Sequence, residues 1–283
     1  MTDFNTYLKE FIAAAIREDV GDGDHSSLAC IPADAHGKAQ LICKEDGIIA
    51  GIDVARQVFL TLDPDVRFEQ LVADGTPVKK GDIAFRVECR TQSLLLAERT
   101  VLNIMQHMSG IATATNVYVR KLEGLHTRVL DTRKTTPGMR LLDKMAVKLG
   151  GGVNHRIGLF DMIMLKDNHN DFAGGIENAI SRVHQYLKEK GKNLKIEVEV
   201  RNLDELETVL RVGGVDRIML DNFDIQTTRE AVRRIGGRFE TESSGGITLE
   251  TLRSYAECGV DFISVGALTH HVGSLDMSLK AID

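Results

Sequence analysis

The stretch LKIEVEVRNLDELETVLRVGGVDRIMLDN, residues 194–222, decides the fold class because a strand pattern, a helix pattern and a second strand pattern follow one another. Short β-type runs occupy residues 194–200 and 216–222, and residues 203–212 between them have the apolar spacing of an amphipathic helix. Such alternation indicates parallel strands that are joined by crossover helices.

The same pattern continues on both sides of this stretch. It predicts strands at 127–134, 161–168, 238–245 and 261–267, helices at 174–190, 225–235 and 249–258, and a further short strand near Val153–Arg156. These elements predict an α/β fold in which a βα barrel has fewer than the usual eight units. An open doubly wound sheet is the main alternative.

The residues before this region have a different organisation. A helix is predicted at 7–16, a β-rich region at 38–90, and a long helix at 93–122 that Gly110 breaks or bends. Arg99 lies in this long helix, and from the pattern alone we interpret it as part of a solvated face.

Composition narrows the class of function and the compartment. The net charge of −6 and the absence of Trp argue against nucleic acid as a partner. Four cysteines at scattered positions indicate reduced core residues. The N-terminus MTDFNTYLKE lacks the basic start and apolar run of a signal peptide, and no run is apolar enough to span a bilayer, so we expect a cytoplasmic protein without a membrane partner.

Polar or small residues stand at the ends of nearly all the predicted barrel strands. In a βα barrel these ends form the active-site rim. In IEVEV the two glutamates alternate with valines and isoleucine, so Glu197 and Glu199 are predicted to point into the barrel, with Glu199 nearer the rim. The other rim candidates are Arg133, Lys134, Lys166, Asp221, Ser244, Gly245 and Gly266.

The segment 131–169 reverses the charge of the chain, with seven basic and four acidic residues. Arg133, Lys134, Arg156 and Lys166 lie there at strand ends or beside glycines, where Arg and Lys suit carboxylate or phosphate oxygens. His155 precedes Arg156 and is a candidate donor to the same anion. Ser244–Gly245 and Gly266 resemble phosphate-binding turns, and one of His270 and His271 is expected to line that pocket.

The segment DTRKTTPGMRLLDKMAVKLGGGVNHRIGLFDMIMLKDNH, residues 131–169, resembles the signature of the quinolinate phosphoribosyltransferase family. AERTVLNIMQHMSGIAT, IMLDN, ESSGGI and ISVGALTH follow the order of that family, so the resemblance covers nearly the whole chain. It implies an N-terminal α/β sandwich domain at 1–110, an incomplete, seven-stranded barrel at 111–270 and a helical tail at 271–283 that packs near the N-terminal domain. It also implies a homodimer whose sites are shared across subunits.

The resemblance also implies roles for individual residues. Quinolinate would be bound by Arg133, His155, Arg156 and Lys166, together with Arg99 of the other subunit. Phosphoribosyl pyrophosphate and Mg²⁺ would be bound by the implied catalytic residues Lys134, Lys166, Glu199 and Asp221. The two carboxylates would reach the metal directly or through water or ribose. Thr132, Ser244, Gly245, Gly266 and His270 complete the implied substrate-binding set.

The implied reaction is transfer of phosphoribose to quinolinate with loss of CO₂. Three alternatives remain from the residues alone: a Schiff-base lyase that uses Lys134 or Lys166, a non-catalytic anion-binding module, and a nicotinate-type phosphoribosyltransferase that does not decarboxylate. The additional donors at His155 and Arg156 favour a dicarboxylate substrate.

Overall fold

The computed structural model describes residues 4–282, and the chain divides into two compact units. The first consists of the residues up to Asn116, of Thr135–Gly151, and of the residues from Leu268 onward. The second consists of Val117–Lys134 and Gly152–Ala267. The domain ranges 1–110, 111–270 and 271–283 remain predictions, and Met1–Asp3 and Asp283, which they include, lie outside the described residues.

The first unit is built around a four-stranded antiparallel sheet with the strand order β12-β1-β5-β3. Its strands are β1 (His36–Cys43), β2 (Gly47–Ile48), β3 (Arg67–Gln70), β4 (Pro77–Val78), β5 (Ile83–Arg90) and β12 (Met277–Ile282), of which β2 and β4 form a separate pair. Its helices are α1 (Phe4–Val20), α2 (His25–Cys30), α3 (Ile52–Leu62), most of α4 (Thr91–Lys121), α5 (Arg140–Leu149) and most of α11 (Ala267–His270).

Helix α3 lies within the region that the sequence predicts to be β-rich. The prediction missed it because strand patterns flank the segment on both sides. Four of its five buried residues, Ile52, Ala55, Val58 and Phe59, nevertheless have helical spacing. Phe59 packs edge-on against Phe85 of β5, so α3 covers the apolar face of the sheet.

The predicted helical tail is wrong. Residues 277–282 form β12, which pairs antiparallel with β1 from Cys43↔Met277 to Lys38↔Ile282. Met277 and Leu279 are buried and alternate with less buried neighbours, a period-two pattern that belongs to a strand. The pairing also satisfies backbone groups on the edge of β1 that would otherwise be exposed.

Helix α4 continues through Gly110 without the break that the sequence predicts. The glycine serves a close approach of two backbones, because a Cβ at this position would lie 2.1 Å from the carbonyl oxygen of Gly273. Another sequence interpretation also changes in this unit, because Cys30, expected in the core, is exposed. Lys144 of α5 is buried.

The second unit contains a six-stranded parallel sheet with the order β6-β11-β10-β9-β8-β7. The strands are β6 (Arg128–Leu130), β7 (Ile163–Leu165), β8 (Ile196–Val200), β9 (Arg217–Asp221), β10 (Glu240–Ser244) and β11 (Phe262–Ser264), and the helices of this unit include α6 (Asp167–Ala173), α7 (Ile176–Lys190), α8 (Leu203–Val212), α9 (Ile225–Ile235) and α10 (Leu252–Ala256). All six strands predicted from the sequence are present, with shorter bounds.

The strand order confirms the barrel interpretation over a doubly wound sheet. Strands β7 to β11 are neighbours in chain order, and β11 then pairs with β6, so the order has no point of reversal. On its other side, Leu130 of β6 forms a parallel bridge with Val153, where the sequence predicts a further short strand. The second unit is therefore an incomplete βα barrel whose seventh strand is reduced to a single bridge.

The barrel interior holds a layer of buried charged side chains. The prediction that Glu197 points inward is confirmed, since its Oε2 lies 2.9 Å from His155 Nε2 in a region where both side chains are at most 5% exposed. His155 Nε2 is also 3.4 Å from Glu242 Oε2, which accepts a hydrogen bond from Arg217 at 3.0 Å. We call His155, Glu197, Arg217 and Glu242 the interior ion layer.

Opposite charges compensate one another in the interior ion layer. Burial by itself would lower the pKa of His155, but the charges of Glu197 and Glu242 outweigh burial and raise this pKa. The backbone N–H of Arg156 donates to Nδ1 of the same ring at 2.7 Å, so it opposes a proton on Nδ1. Burial and the charge of Glu242 raise the pKa of Glu197 to about 7. Two carboxylates facing one guanidinium and one imidazole are thereby kept in an apolar interior where single charges would be costly.

No helix that could cross a membrane is found among residues 4–282.

We expect Gly110→Ala to lower the free energy of unfolding by about 2 kcal/mol, because the added Cβ collides with the Gly273 carbonyl oxygen. The gain in helix propensity, about 1 kcal/mol, does not offset this collision. Urea denaturation measures the change. Asn103→Ala, at an exposed position of the same helix, is the control and should change stability by less than about 0.5 kcal/mol. A more stable Gly110→Ala variant would contradict the assignment of a close backbone approach.

We expect Glu242→Gln to lower the free energy of unfolding by about 3 kcal/mol, since it removes one partner from a buried charge network. Glu240→Gln is the matched control. Glu240 also binds Arg217, at 3.1 Å, but its side chain is 38% exposed, so its loss should cost less than about 1 kcal/mol. If denaturant titrations show equal losses in the free energy of unfolding for the two substitutions, the interior ion layer contributes no more to stability than a partly exposed ion pair.

Candidate functional site

The ends of four adjacent barrel strands bring acidic and basic side chains to one edge of the second unit. The pairing Ser244↔Asp221 aligns the ends of β10 and β9, and Leu165↔Val198 aligns β7 with β8 just before Lys166 and Glu199. Because parallel strands end at the same side of a sheet, the predicted rim residues on these strands lie next to one another.

Lys166 and Glu199 form an ion pair at this rim, with Nζ 3.1 Å from Oε2. The Glu199 side chain is 9% exposed, whereas that of Lys166 is 47% exposed. The carboxylate is therefore held in the barrel mouth, and the ammonium group remains accessible.

Asp221, at the end of β9, belongs to the same group of charges. Burial raises its pKa, and a hydrogen bond from the Asn222 side chain and the positive charges of Lys166 and Lys134 act against that increase. The structure thus brings together the four residues that were predicted to be catalytic.

Lys134 follows β6 in an exposed segment with Thr132 and Arg133. The Thr132 hydroxyl accepts a hydrogen bond from the Lys134 backbone N–H at 3.0 Å, which forms a local turn. The side chains of Arg133 and Lys134 are exposed. This turn presents two cations beside the barrel mouth.

Arg156, the last of the three arginines in the segment 131–169, is partly buried. Burial and the nearby charge of Arg133 lower its pKa, while Glu197 and Asp161 act in the opposite direction. Two guanidinium groups that repel one another are suited to an anion, and anion binding by Arg133 and Arg156 remains a prediction.

A buried aspartate positions the chain segment that carries Arg156. Asp131 Oδ1 accepts a hydrogen bond from the His155 backbone N–H at 2.8 Å, and Oδ2 accepts one from Asn154 at 2.6 Å. Asp161 accepts hydrogen bonds from the backbone N–H groups of Ile157 and Gly158. These bonds hold both ends of the segment around Arg156.

His155 takes a different position from the one the sequence suggests for a substrate donor. Its side chain is buried in the interior ion layer, with Nε2 directed to the carboxylates. Direct contact with a substrate anion remains a prediction, and the structure adds a positioning role for this histidine.

The ligand atoms of His155, Glu197 and Glu242 lie close enough together to suggest a metal centre. The surrounding charges argue against that interpretation. Glu242 already accepts from Arg217, and the ring state favoured by the two carboxylates has a proton on Nε2, which removes the lone pair that a metal would need. We interpret the group as an ion network.

Arg217, Glu242 and Asn222 were not singled out for a role by the sequence. The alternation that identified Glu197 and Glu199 as inward-pointing applies equally to Arg217 in RIMLD and to Glu242 in ETESS. Arg217 and Glu242 could therefore have been found from the sequence. Asn222 has no comparable signal in the sequence, since its importance depends on a backbone angle and on Gly245 of the neighbouring strand end.

The turns after β10 and β11 carry the small residues that were predicted to bind phosphate. Gly245 has a φ of +99°, and Gly266 follows β11 by two residues. Backbone N–H groups in such turns are suited to phosphate oxygens. Phosphate binding at Ser244, Gly245 and Gly266 remains a prediction.

Two predicted site residues, Arg99 and His270, belong to the first compact unit. Arg99 is exposed on α4, and His270 ends α11 with its Nδ1 facing Nδ1 of His271. Their roles at the site remain predictions.

Comparison with known proteins identifies the family. The sequence model of the quinolinate phosphoribosyl transferase C-terminal domain matches residues 111–280, and that of the N-terminal domain matches residues 24–109. The chain is 47% identical over 289 residues to the chloroplastic nicotinate-nucleotide pyrophosphorylase (carboxylating) of Oryza sativa, covering 96% of this chain and 77% of the relative. It is 46% identical to quinolinate phosphoribosyltransferase (decarboxylating) 1b of Nicotiana tabacum, covering 96% of this chain and 82% of the relative.

Solved structures agree with the sequence matches. The crystal structure of NadC from Streptococcus pyogenes superposes with a TM-score of 0.92 at 39% identity and covers 100% of both chains. The nicotinate-nucleotide pyrophosphorylase of Francisella tularensis has a TM-score of 0.92 at 38% identity, covering 99% of this chain and 98% of that one. From the two matched domains, the curated relatives and the shared fold, we conclude that the chain belongs to the quinolinate phosphoribosyltransferase family.

Proposed function

We propose that the protein transfers phosphoribose from phosphoribosyl pyrophosphate to quinolinate with decarboxylation, giving nicotinate mononucleotide, pyrophosphate and CO₂ in NAD biosynthesis. The observation that carries this proposal is the rim cluster of the second unit, in which the Lys166–Glu199 ion pair adjoins Asp221 and Lys134. Such a cluster has carboxylates for a sugar that becomes positively charged and cations for a leaving pyrophosphate.

The phosphoribosyl half of the substrate is assigned to the strand ends of β8, β9 and β10. Glu199 and Asp221 bind ribose hydroxyl groups and stabilise positive charge as the bond between ribose C1 and pyrophosphate breaks. Lys134 and Lys166 bind the departing pyrophosphate. The backbone of Ser244–Gly245 and of Gly266 binds the phosphate at the other end of the sugar.

The carboxylates at the rim fit Mg²⁺, which prefers oxygen ligands and keeps several waters or substrate phosphates. One oxygen of Glu199 faces Lys166, and Asp221 Oδ2 accepts from Asn222, so each carboxylate has a second oxygen for the metal, a metal-bound water or ribose. When bound, Mg²⁺ would supply charge stabilisation for the pyrophosphate group. We therefore propose Mg²⁺ as the cofactor.

Quinolinate is assigned to the cations that surround the barrel mouth. Arg133 and Arg156 bind its two carboxylates, with further contacts from Lys166 and His155 and with Thr132 lining the pocket. This arrangement directs the pyridine nitrogen towards ribose C1. Once the nitrogen is alkylated, its positive charge stabilises the electron pair left on the adjacent ring carbon as CO₂ departs. That carbon then takes a proton from water, so the route requires no general acid with a specially tuned pKa.

We further propose a homodimer in which Arg99 of one subunit completes the quinolinate pocket of the other and His270 lines the phosphate pocket. An exposed arginine on the long helix α4 is available for such a role. We also propose a cytoplasmic location, although the names of plant relatives place those proteins in chloroplasts or mitochondria.

Two alternatives fit the site less well. A Schiff-base lyase needs a lysine that an apolar, desolvated pocket keeps uncharged. Lys166 is instead half exposed and paired with Glu199, and Lys134 is exposed. A nicotinate-type transferase would leave one of the two guanidinium groups at Arg133 and Arg156 without a carboxylate partner. The paired arginines therefore favour the dicarboxylate substrate.

We expect purified protein supplied with quinolinate, phosphoribosyl pyrophosphate and Mg²⁺ to release CO₂ and pyrophosphate in equal amounts. Carboxyl-labelled quinolinate and a coupled pyrophosphate assay measure the two products. Nicotinate in place of quinolinate is the control and should give little pyrophosphate. Turnover of nicotinate with none of quinolinate would overturn the substrate assignment, and a borohydride-trapped adduct with a carbonyl substrate would support the lyase.

Mixed dimers test whether the site is shared. Arg99→Ala and Lys166→Ala homodimers should both be nearly inactive, but subunits mixed in equal amounts should recover about a quarter of wild-type turnover by statistical pairing. The recovery arises because half of the sites in a hybrid dimer contain both intact residues. If subunit exchange is demonstrated by mass spectrometry and no activity returns, Arg99 does not act across subunits.

A further inference from the structure

Asn222 has an uncommon backbone conformation at the end of a rim strand. Its φ is +56°, and it is the one non-glycine residue between positions 4 and 282 found in the left-handed region. That region costs energy for residues with a Cβ and persists where neighbouring groups hold it, although asparagine tolerates it better than most residues. The interactions around Asn222 must therefore account for its conformation.

Three contacts hold Asn222 between two strand ends. Its backbone N–H donates to the carbonyl oxygen of Ser244 at 2.9 Å, which extends the pairing of β9 with β10. Its side-chain Nδ2 donates to Asp221 Oδ2 at 2.7 Å. Its Oδ1 lies over Gly245, where an added Cβ would be only 2.1 Å away.

The same side chain thus contacts two groups that are assigned to different parts of one substrate. Asp221 is assigned to the ribose hydroxyls, and Gly245 belongs to the turn assigned to phosphate. The hydrogen bond from Asn222 Nδ2 fixes the orientation of the Asp221 carboxylate. The bond also engages Oδ2 and leaves Oδ1 to face a ligand.

We propose that Asn222 is a positioning residue for phosphoribosyl pyrophosphate, holding the Asp221 carboxylate and the Ser244–Gly245 turn at the separation that one ribose phosphate needs. This inference rests on the proposed function of the site. The side-chain amide of Asn222 orients the Asp221 carboxylate, and the backbone N–H of Asn222 connects the end of β9 to β10. The left-handed φ allows one residue to make both hydrogen bonds.

The geometry limits which residues can replace Asn222. Glycine adopts the same φ at low cost but has no amide to orient Asp221. Aspartate keeps the size and the tolerance of positive φ, but it places a second negative charge where Asp221 now receives a hydrogen bond. Both substitutions therefore remove the amide donor while the left-handed backbone conformation stays accessible, so a loss of binding reports the donor rather than the backbone.

Asn222→Gly should raise KM for phosphoribosyl pyrophosphate about tenfold, the effect of losing one hydrogen bond to a charged group. KM for quinolinate should change less than about twofold, because Arg133 and Arg156 are untouched. Calorimetric titration with phosphoribosyl pyrophosphate and Mg²⁺ should show the same loss of affinity without turnover. Asn222→Asp should weaken binding of phosphoribosyl pyrophosphate at least as much.

Asn202→Gly is the matched control, because it makes the same substitution after the preceding strand, β8. Asn202 caps α8 by accepting from the Glu205 backbone N–H at 2.9 Å, so its loss should reduce stability slightly and leave both KM values unchanged. Circular dichroism and melting curves establish whether each variant is folded. If Asn222→Gly does not fold, the affinity of Asn222→Asp for phosphoribosyl pyrophosphate tests the positioning role.

Wild-type affinity for phosphoribosyl pyrophosphate in folded Asn222→Gly or Asn222→Asp would overturn the positioning role. An equal rise of both KM values would also overturn it, since that result indicates general disorder of the rim. Failure of the wild-type protein to turn over quinolinate is a separate outcome, which refutes the proposed function itself.

Discussion

The interior ion layer is the constraint on which the barrel unit depends. His155, Glu197, Arg217 and Glu242 come from different strands and from the segment after the Val153 bridge, and they meet where water is excluded. An unpaired charge in such a place would cost several kcal/mol. The register of β8, β9 and β10 must therefore bring all of these groups together, and a slip of one residue would turn each inward charge to the helix side.

The site lies farther along the same strands, towards their carboxyl ends. Because inward positions recur every second residue, Glu199 follows Glu197 on β8, Asp221 follows Arg217 and Met219 on β9, and Ser244 follows Glu242 on β10. The register that satisfies the buried charges thus also aligns the reactive rim. His155 links the two levels, because its ring belongs to the ion layer and its backbone leads directly into Arg156.

Much of this arrangement could be predicted from residue patterns. Strand–helix alternation predicted all six barrel strands, and parity predicted the inward direction of Glu197. The errors have a common cause: a local sequence pattern does not show which distant segment will pack against it. Residues 277–282 form a strand because β1 offers an open edge, and Gly110 lies in an unbroken helix at a place where another backbone passes beside it.

The sequence by itself determined the class of fold, the family and the residues at the strand ends, because period-two and helical spacing and a long specific segment are local properties of the chain. Only the tertiary structure decided that His155 turns into the barrel, that Arg217 and Glu242 join it, and that Asn222 connects Asp221 with Gly245. These outcomes depend on distances between residues far apart in the chain and on the cost of burying an unpaired charge, and both exist only once the strands are in register.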